Sequence, residues 1–275
     1  MPASRSRRRR PDAPAASPAD RGARRRYWLL IPLALLVAAA IVLVALPATV
    51  LRRFVPPSVR IDELSGTLWH GTAERVVLGG RAVGAVEWRL NPLGLLRGQA
   101  DLDVRWVDRS LSSVATVEID RTQILAHAVR GEGRIEDLAA FGIAPGWRGE
   151  ARWTLEDVAV AGDRLTGLRG EIAVAHLASP AVAGGADLGA YRARITDGGD
   201  DGGAVLHASL EDAGGPLRLQ AHLNANLLAR RGLLSGTLAA RPDAAAAVAT
   251  AVQQLAAMRG RDAAGNVPVS LEFTF

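Results

Sequence analysis

The chain has 275 residues, 49% of them apolar and 22% charged, which is enough to bury a hydrophobic core in one or two domains. It contains no cysteine, which excludes disulfides and thiolate catalysis and argues against a structural zinc site. The formal net charge of +5 comes from the N-terminus, because residues 1–26 hold nine of the 33 basic and two of the 28 acidic residues, leaving 24 basic and 26 acidic groups elsewhere. That near-neutral remainder argues against a nucleic-acid-binding domain.

The N-terminal residues predict a membrane anchor preceded by a basic tail. Residues 1–26 are rich in Pro, Ala, Ser and Arg without apolar periodicity, which predicts a disordered cytoplasmic tail. Residues 27–51 carry no charge, and a helix of that length spans a hydrocarbon core of roughly 30 Å. Tyr27 and Trp28 suit the headgroup layer at its start, and Leu51 ends the predicted span.

The distribution of arginine predicts the topology of this anchor. Nine arginines precede the span and few follow it closely, which places the N-terminus in the cytoplasm and the remainder in the periplasm. A cleaved signal peptide is the alternative, but its apolar region is usually about 7–15 residues long, and Pro47 makes a poor cleavage site. We therefore predict a single-pass inner-membrane protein with a linker over 52–59 and a periplasmic domain over 60–275.

After the linker the hydrophobic period becomes two, as in a β-strand with one face on a core. Leu102, Val104 and Trp106 alternate with charged residues, and the apolar residues of 217–223 alternate with polar ones. Shorter alternating stretches lie at 83–90, 116–121, 172–176, 191–195 and 205–210, separated by Gly and Asp clusters. Many short strands joined by turns predict a mainly β domain with an antiparallel sheet, either a sandwich or a curved sheet.

One longer helix is predicted over 242–259, because Pro242 and Asp243 suit a helix start and Gly260 suits its end. A short helix is predicted over 136–141. The chain ends in an alternating stretch, 267–275, which predicts a final strand whose Pro268 favours a sheet edge. The apolar stripe of the longer helix consists of Val248, Val252, Leu255 and either Met258 or Arg259.

A short repeat has two explanations. Leu-Ser-Gly-Thr-Leu occurs at 64–68 and at 234–238, and a related Leu-Thr-Gly-Leu lies at 165–168. We interpret each copy as a glycine turn that enters a strand, and internal duplication into two similar halves would explain the repeat. Chance is the other explanation, because Leu, Gly and Ala are abundant in this chain.

No residue pattern in the sequence is typical of catalysis or cofactor binding. The five histidines lack metal-ligand spacing, and no nucleophile elbow, P-loop or dinucleotide fingerprint occurs. Asp101 and Asp103 share one strand face, where a solvated pair beside Arg105 is favoured over a carboxylate site. Asp200 and Asp201 lack the ligand set of a calcium loop. We therefore predict that the chain is not an enzyme and holds neither cofactor nor metal.

Tryptophan is concentrated in one part of the predicted sheet domain. Five of the six tryptophans lie between residues 69 and 153. Tryptophan anchors interfaces, and it also fills cores, which is the favoured interpretation on alternating strands. The N-terminal half is therefore where we expect a binding surface.

One stretch carries a more specific pattern. It reads G-T-L-W-x-G-x-A from residue 66 and, after a gap, W-x-L-x-P-x-x-L-L-x-G over 88–98. This stretch resembles the type II secretion system protein N family, also called general secretion pathway protein N, and the layout of tail, span and periplasmic domain is similar too. Residues 145–230 carry no motif of that family. The pattern is defined by Gly66, Leu68, Trp69, Gly71, Trp88, Leu90, Pro92, Leu95, Leu96 and Gly98.

These motif residues have a structural interpretation rather than a catalytic one. Gly66 permits a tight turn before a strand, and Gly71 leaves room for Trp69 on a core face. Pro92 breaks the strand that carries Trp88. The two leucines at 95–96 are expected to begin a cover over the sheet.

The resemblance implies an accessory inner-membrane subunit of the machine that exports folded proteins across the outer membrane. It implies that the partners are other inner-membrane subunits of that machine and membrane lipid. It implies no nucleic-acid partner. The alternative is a membrane-anchored periplasmic lipid-handling protein whose strands enclose an apolar groove. Sequence alternation does not distinguish a covered sheet face from an open groove.

Overall fold

The computed structural model describes residues 45–53, 59–78, 80–95, 97–108, 110–120, 122–141, 143, 145–162, 164–197 and 205–274. The elements below belong to the compact unit Pro47–Phe275. The strands are β1 (Val59–Gly66), β2 (His70–Leu78), β3 (Arg81–Asn91), β4 (Ala100–Val107), β5 (Leu111–Ile119), β6 (Ile124–Arg134), β7 (Arg148–Ala161), β8 (Arg164–Ala178), β9 (Tyr191–Asp197), β10 (Val205–Asp212), β11 (Leu217–Asn226), β12 (Arg231–Ala240) and β13 (Val267–Thr274). The helical segments are α1 (Pro92–Leu95), α2 (Ala246–Arg259) and the 3-10 helices Ala48–Arg53, Ile135–Phe141 and Ala183–Gly185.

The thirteen strands form a single antiparallel sheet, and their order in the sheet is their order in the sequence. The prediction of a mainly β, antiparallel domain is confirmed. Leu165 and Leu168 of β8 pack against a cluster formed by Leu206, Ala225 and Leu227. Apolar contacts on this part of the sheet therefore reach beyond directly neighbouring strands.

The two faces of the sheet differ in chemistry. The register places Val104 opposite Ala115, Gly131 opposite Trp153, and Trp153 opposite Ile172, so that these residues share one face, here called the apolar face. The intervening residues form the polar face, which carries cross-strand ion pairs. These pairs include Arg152–Glu132 at 3.4 Å, Arg192–Glu171 at 3.0 Å and Arg194–Glu171 at 3.7 Å.

Helix α2 packs on the last strands. Val248 and Val252 are 1% and 5% exposed and form a cluster with Val267, which is fully buried. Leu255 packs against this cluster, as the predicted stripe requires, whereas Met258 is 78% exposed.

The helix α2 begins at residue 246, four residues later than predicted. The N–H of Ala244 donates to the carbonyl of Arg241 at 3.0 Å, which makes a turn of residues 241–244. Arg241 is also paired with Asp212 at the end of β10. Pro242 and Asp243 therefore lie in this turn rather than in the first turn of the helix.

The other elements predicted near the C-terminus and in mid-chain are present. The final strand is β13, and it lies at an edge of the sheet, as Pro268 suggested. The short helix predicted over 136–141 is the 3-10 helix Ile135–Phe141.

Residues 27–44 of the predicted membrane span lie outside the described residues, and Tyr27 and Trp28 are among them. Within the described ranges, no helix combines the length and the apolar character that crossing a membrane requires. The end of the predicted span differs from a continuous helix. Pro47 pairs with Thr67 in an isolated bridge, and Leu51 belongs to the 3-10 helix Ala48–Arg53.

The copies of the pentapeptide repeat occupy different settings. The first ends β1, where Gly66 has φ of 88° at the turn into β2. The second lies inside β12, where Gly236 pairs with Ala221 of β11 and with Val269 of β13. The related segment 165–168 also lies inside a strand, β8. Only the first copy is a glycine turn, so the interpretation of each copy as a turn was wrong.

The buried phenol of Tyr191 makes stability depend on pH in the alkaline range. Its hydroxyl donates to the carbonyl of Leu188 at 2.6 Å, and burial, followed by the charges of Asp212 and Asp187, raises its pKa from 10.0 to about 12. Below pH 10 the phenol is neutral in both states, so its contribution to stability is fully present there. Between pH 10 and 12 the unfolded chain loses this proton first, and stability falls as pH rises.

We expect this loss to be about 1–2 kcal/mol, because solvent screening at a partly buried site reduces the roughly 2.7 kcal/mol that the full pKa difference represents. The chain has no lysine, no cysteine and one other tyrosine, Tyr27, so few groups titrate in that range. Urea unfolding of the wild type and of Tyr191→Phe at several alkaline pH values measures the effect. An unchanged alkaline slope in the phenylalanine variant would contradict it.

Candidate functional site

The first part of the sequence motif surrounds Trp88 rather than Trp69. Trp88 is 8% exposed, and its indole N–H donates to the carbonyl of Leu68 at 3.1 Å. Gly71 lies opposite Trp88 in the register, and a Cβ at residue 71 would lie 2.5 Å from the Cζ2 atom of that ring. Gly71 therefore makes room for Trp88, and the expected pairing of Gly71 with Trp69 was wrong.

Gly66 has the turn role that was predicted for it. A Cβ at this position would lie 2.6 Å from the carbonyl oxygen of His70, and its φ of 88° disfavours other residues. The neighbouring Trp69 is partly buried, and its carbonyl accepts from the N–H of Leu90 at 2.7 Å. Leu90 is 7% exposed. These contacts tie the β1–β2 turn to the end of β3.

The second part of the motif differs from the expected cover over the sheet. Pro92 opens α1, which is only four residues long, and Leu95 is 42% exposed. Leu96 lies outside the described residues. The N–H of Gly98 donates to the carbonyl of Leu95 at 3.1 Å, so the chain turns toward β4 directly after α1. Because α1 is this short, it positions no extended apolar surface.

The apolar face contains a groove that crosses five adjacent strands, β4 to β8. Its volume is about 550 Å³. The groove is lined by apolar and aromatic side chains. Its lining includes Val104, Trp106, Trp153, Leu155, Ile172 and Val174.

The large rings lie over glycines of the neighbouring strand. A Cβ at Gly131 would lie 2.6 Å from the Cζ2 atom of Trp153 and would also contact the carbonyl oxygen of Ser112. The same arrangement joins Gly71 to Trp88 and Gly232 to Phe273. An aromatic ring that covers a glycine lies low on the sheet and shields the backbone. Gly131 therefore keeps Trp153 low on the sheet and the groove open above it.

Among the described residues that line the groove, Ser113 carries a hydroxyl group. Its hydroxyl donates to the carbonyl of Arg130 at 3.1 Å and accepts from the indole N–H of Trp153 at 3.3 Å. The hydroxyl is thus satisfied within the protein, and the described lining presents no free charge to a ligand.

The two ends of the groove differ. At one end Ile135 and Leu138, of the 3-10 helix Ile135–Phe141, and Ile143 contribute to the lining. At the other end Ile119 and Ile124 face each other across β5 and β6, and they are 37% and 41% exposed. At the β5–β6 turn the apolar surface therefore continues beyond the groove. At the opposite end the groove is bordered by the 3-10 helix Ile135–Phe141.

The titratable groups that the sequence singled out lie on the polar face. His127 Nδ1 lies 2.7 Å from Asp157, which also contacts Arg169 at 3.6 Å. Asp103 accepts from the Thr116 hydroxyl at 3.2 Å, as expected of a solvated face rather than of a carboxylate pair. Asp200 and Asp201 lie outside the described residues. Within the described part of the chain, no three His, Asp or Glu side chains are grouped as metal ligands.

Comparisons with known proteins bear directly on this sheet. The model of the family "Type II secretion system (T2SS), protein N" matches residues 57–270, a region that runs from the start of β1 into β13. The chain belongs to the type II secretion system protein N family.

The curated type II secretion system protein N of Aeromonas hydrophila is 35% identical over 85 residues. That similarity covers 30% of this chain and 34% of the relative, so the aligned part is about a third of the relative's length. No solved structure matches the chain significantly. The protein N match thus takes in the whole groove, including β7 and β8 within 145–230, where the sequence showed no family motif.

Proposed function

We propose that this protein N is an accessory, single-pass inner-membrane subunit of a type II secretion system. Its sheet domain lies in the periplasm and works through contacts with other inner-membrane subunits rather than by catalysis. The family match over 57–270 is the observation that carries this proposal. The uncharged stretch 27–51 and the arginine-rich tail before it support the anchored topology.

The topology is tested with reporters fused to the C-terminus of the full chain. We expect a phosphatase that is active only in the periplasm to be active, and a reporter that is active only in the cytoplasm to be silent. A matched fusion in which the arginines of residues 5–10 are replaced by glutamate serves as control, because removing the charge bias should weaken this orientation. An active cytoplasmic reporter on the unaltered chain would overturn the proposal.

The contact role is tested in the same cells by crosslinking in intact membranes and identifying the attached proteins. Adducts with inner-membrane subunits of the secretion machine are the expected result. Adducts restricted to proteins unrelated to secretion, together with normal export after deletion of the gene, would count against it.

A further inference from the structure

We propose that the groove across β4 to β8 binds the acyl chain of a phospholipid. The chemistry of the groove supports this inference, which rests on the proposed function only for the nearness of a membrane as a lipid source.

The lining suits a ligand without hydrogen-bonding groups. The described side chains that form it are apolar apart from Ser113, whose hydroxyl is already bonded to Arg130 and Trp153. A polar ligand would lose its hydration there without gaining a partner, and that loss is costly. An alkyl chain loses no hydrogen bond on entry, and burying its methylenes is favourable.

An extended peptide is a poor occupant for a specific reason. The strands β4 to β8 are interior strands, each paired on both sides, so their backbone groups already bond to one another. A peptide lying on this face would bury its own N–H and C=O groups against side chains that cannot satisfy them. β-strand addition requires a free sheet edge, and the groove contains none.

A thin, flexible alkyl chain suits the shape of the groove. The groove volume is about 550 Å³, spread across five strands. The low position of Trp153 over Gly131 preserves this space.

The exposed pair Ile119 and Ile124 supplies an entry route. These residues share the apolar face at the end of the groove away from the 3-10 helix Ile135–Phe141. A chain that enters past them stays in contact with apolar surface, while its headgroup remains in water beyond the β5–β6 turn.

The test uses the full chain reconstituted into phosphatidylethanolamine and phosphatidylglycerol vesicles that contain a phospholipid with a diazirine in its acyl chain. After illumination, lipid adducts are mapped by mass spectrometry. We expect adducts in peptides that carry Trp106 and Trp153, in addition to those in residues 27–51, which serve as the internal reference.

A matched pair of variants tests the site. Ala115→Phe places a ring in the groove and should lower the groove adducts, relative to the reference, by about tenfold. Thr116→Phe adds the same ring one residue on, on the polar face, and should leave them unchanged. Ala126→Phe fills the groove from another strand and replaces Ala115→Phe if the latter does not fold.

Two results would overturn the proposal. The first is wild-type adducts confined to residues 27–51, as expected if a second copy or another protein segment covers the groove. The second is groove adducts that survive the groove-filling variant that folds. The reporter fusions separate this test from that of the proposed function. A periplasmic domain without groove adducts overturns the lipid site alone, whereas a cytoplasmic domain overturns the proposed function whether or not adducts form.

Discussion

Replacing Trp88 with alanine is expected to lower the free energy of unfolding by about 3–5 kcal/mol, because the cavity left by a buried indole is not refilled. The ring is 8% exposed and packs in a cluster with Ala48 and Ala73. Its loss also leaves the Leu68 carbonyl without the indole N–H that it accepts. Urea unfolding followed by circular dichroism measures the change.

Trp69→Ala is the matched control, since it removes the same side chain from a partly buried position in the adjacent turn. Its cost should be clearly smaller than that of Trp88→Ala. Equal costs for the two variants, or a larger cost at Trp69, would contradict the assignment of Trp88 as the core residue of the motif.

The second large effect is expected from Val248→Asp on α2. Val248 is 1% exposed in an apolar cluster with Val252 and Val267. Burying a carboxylate among these side chains should cost about 3–5 kcal/mol, either as global destabilisation or as release of the helix from the sheet. Chemical denaturation measures the global loss, and amide exchange of residues 246–259 detects release of the helix.

Met258→Asp controls for the chemistry of the substitution. It introduces the same carboxylate on the same helix at a position that is 78% exposed. Surface changes of this kind stay within about 0.5 kcal/mol of the wild type. If both variants were equally stable and equally protected from exchange, α2 would not be docked through Val248.

Alternation identified strands wherever it was unbroken. The stretches at 83–90, 172–176, 191–195 and 205–210 all lie inside strands, as do the alternating residues of β4 and β11. The stretch at 116–121 begins inside β5, which ends at Ile119, and residue 121 lies outside the described residues. Each of these strands has one apolar and one polar face, so a period of two was visible without knowledge of any neighbour.

Strands were missed where the period is interrupted. The register between β5 and β6 shifts after Val114 of β5. The shift lies near Ala128 of β6, whose φ is 50°. In β7 the pairing shifts between Leu155 and Asp157, so the apolar residues move from odd to even positions. Strand β12 carries Gly, Ser and Ala, whose small side chains give little contrast between its faces.

The groove could not be predicted from the sequence, for a different reason. Its shape depends on which residues of separate strands lie side by side, as Gly131 and Trp153 do. Which residues lie opposite each other depends on how two strands pair, and the sequence of either strand alone does not specify it. The concentration of tryptophan before residue 154 did point to this half of the chain, and Trp106 and Trp153 both line the groove.

The strand order has a consequence for how the chain acquires its structure. Because each strand pairs with the strand just made before it, the native contacts of the sheet are short in sequence, and short-range contacts favour rapid folding. A chain delivered N-terminus first can add one hairpin at a time to a growing template. Among the thirteen described strands, none has to wait for a distant strand before its pairing can begin.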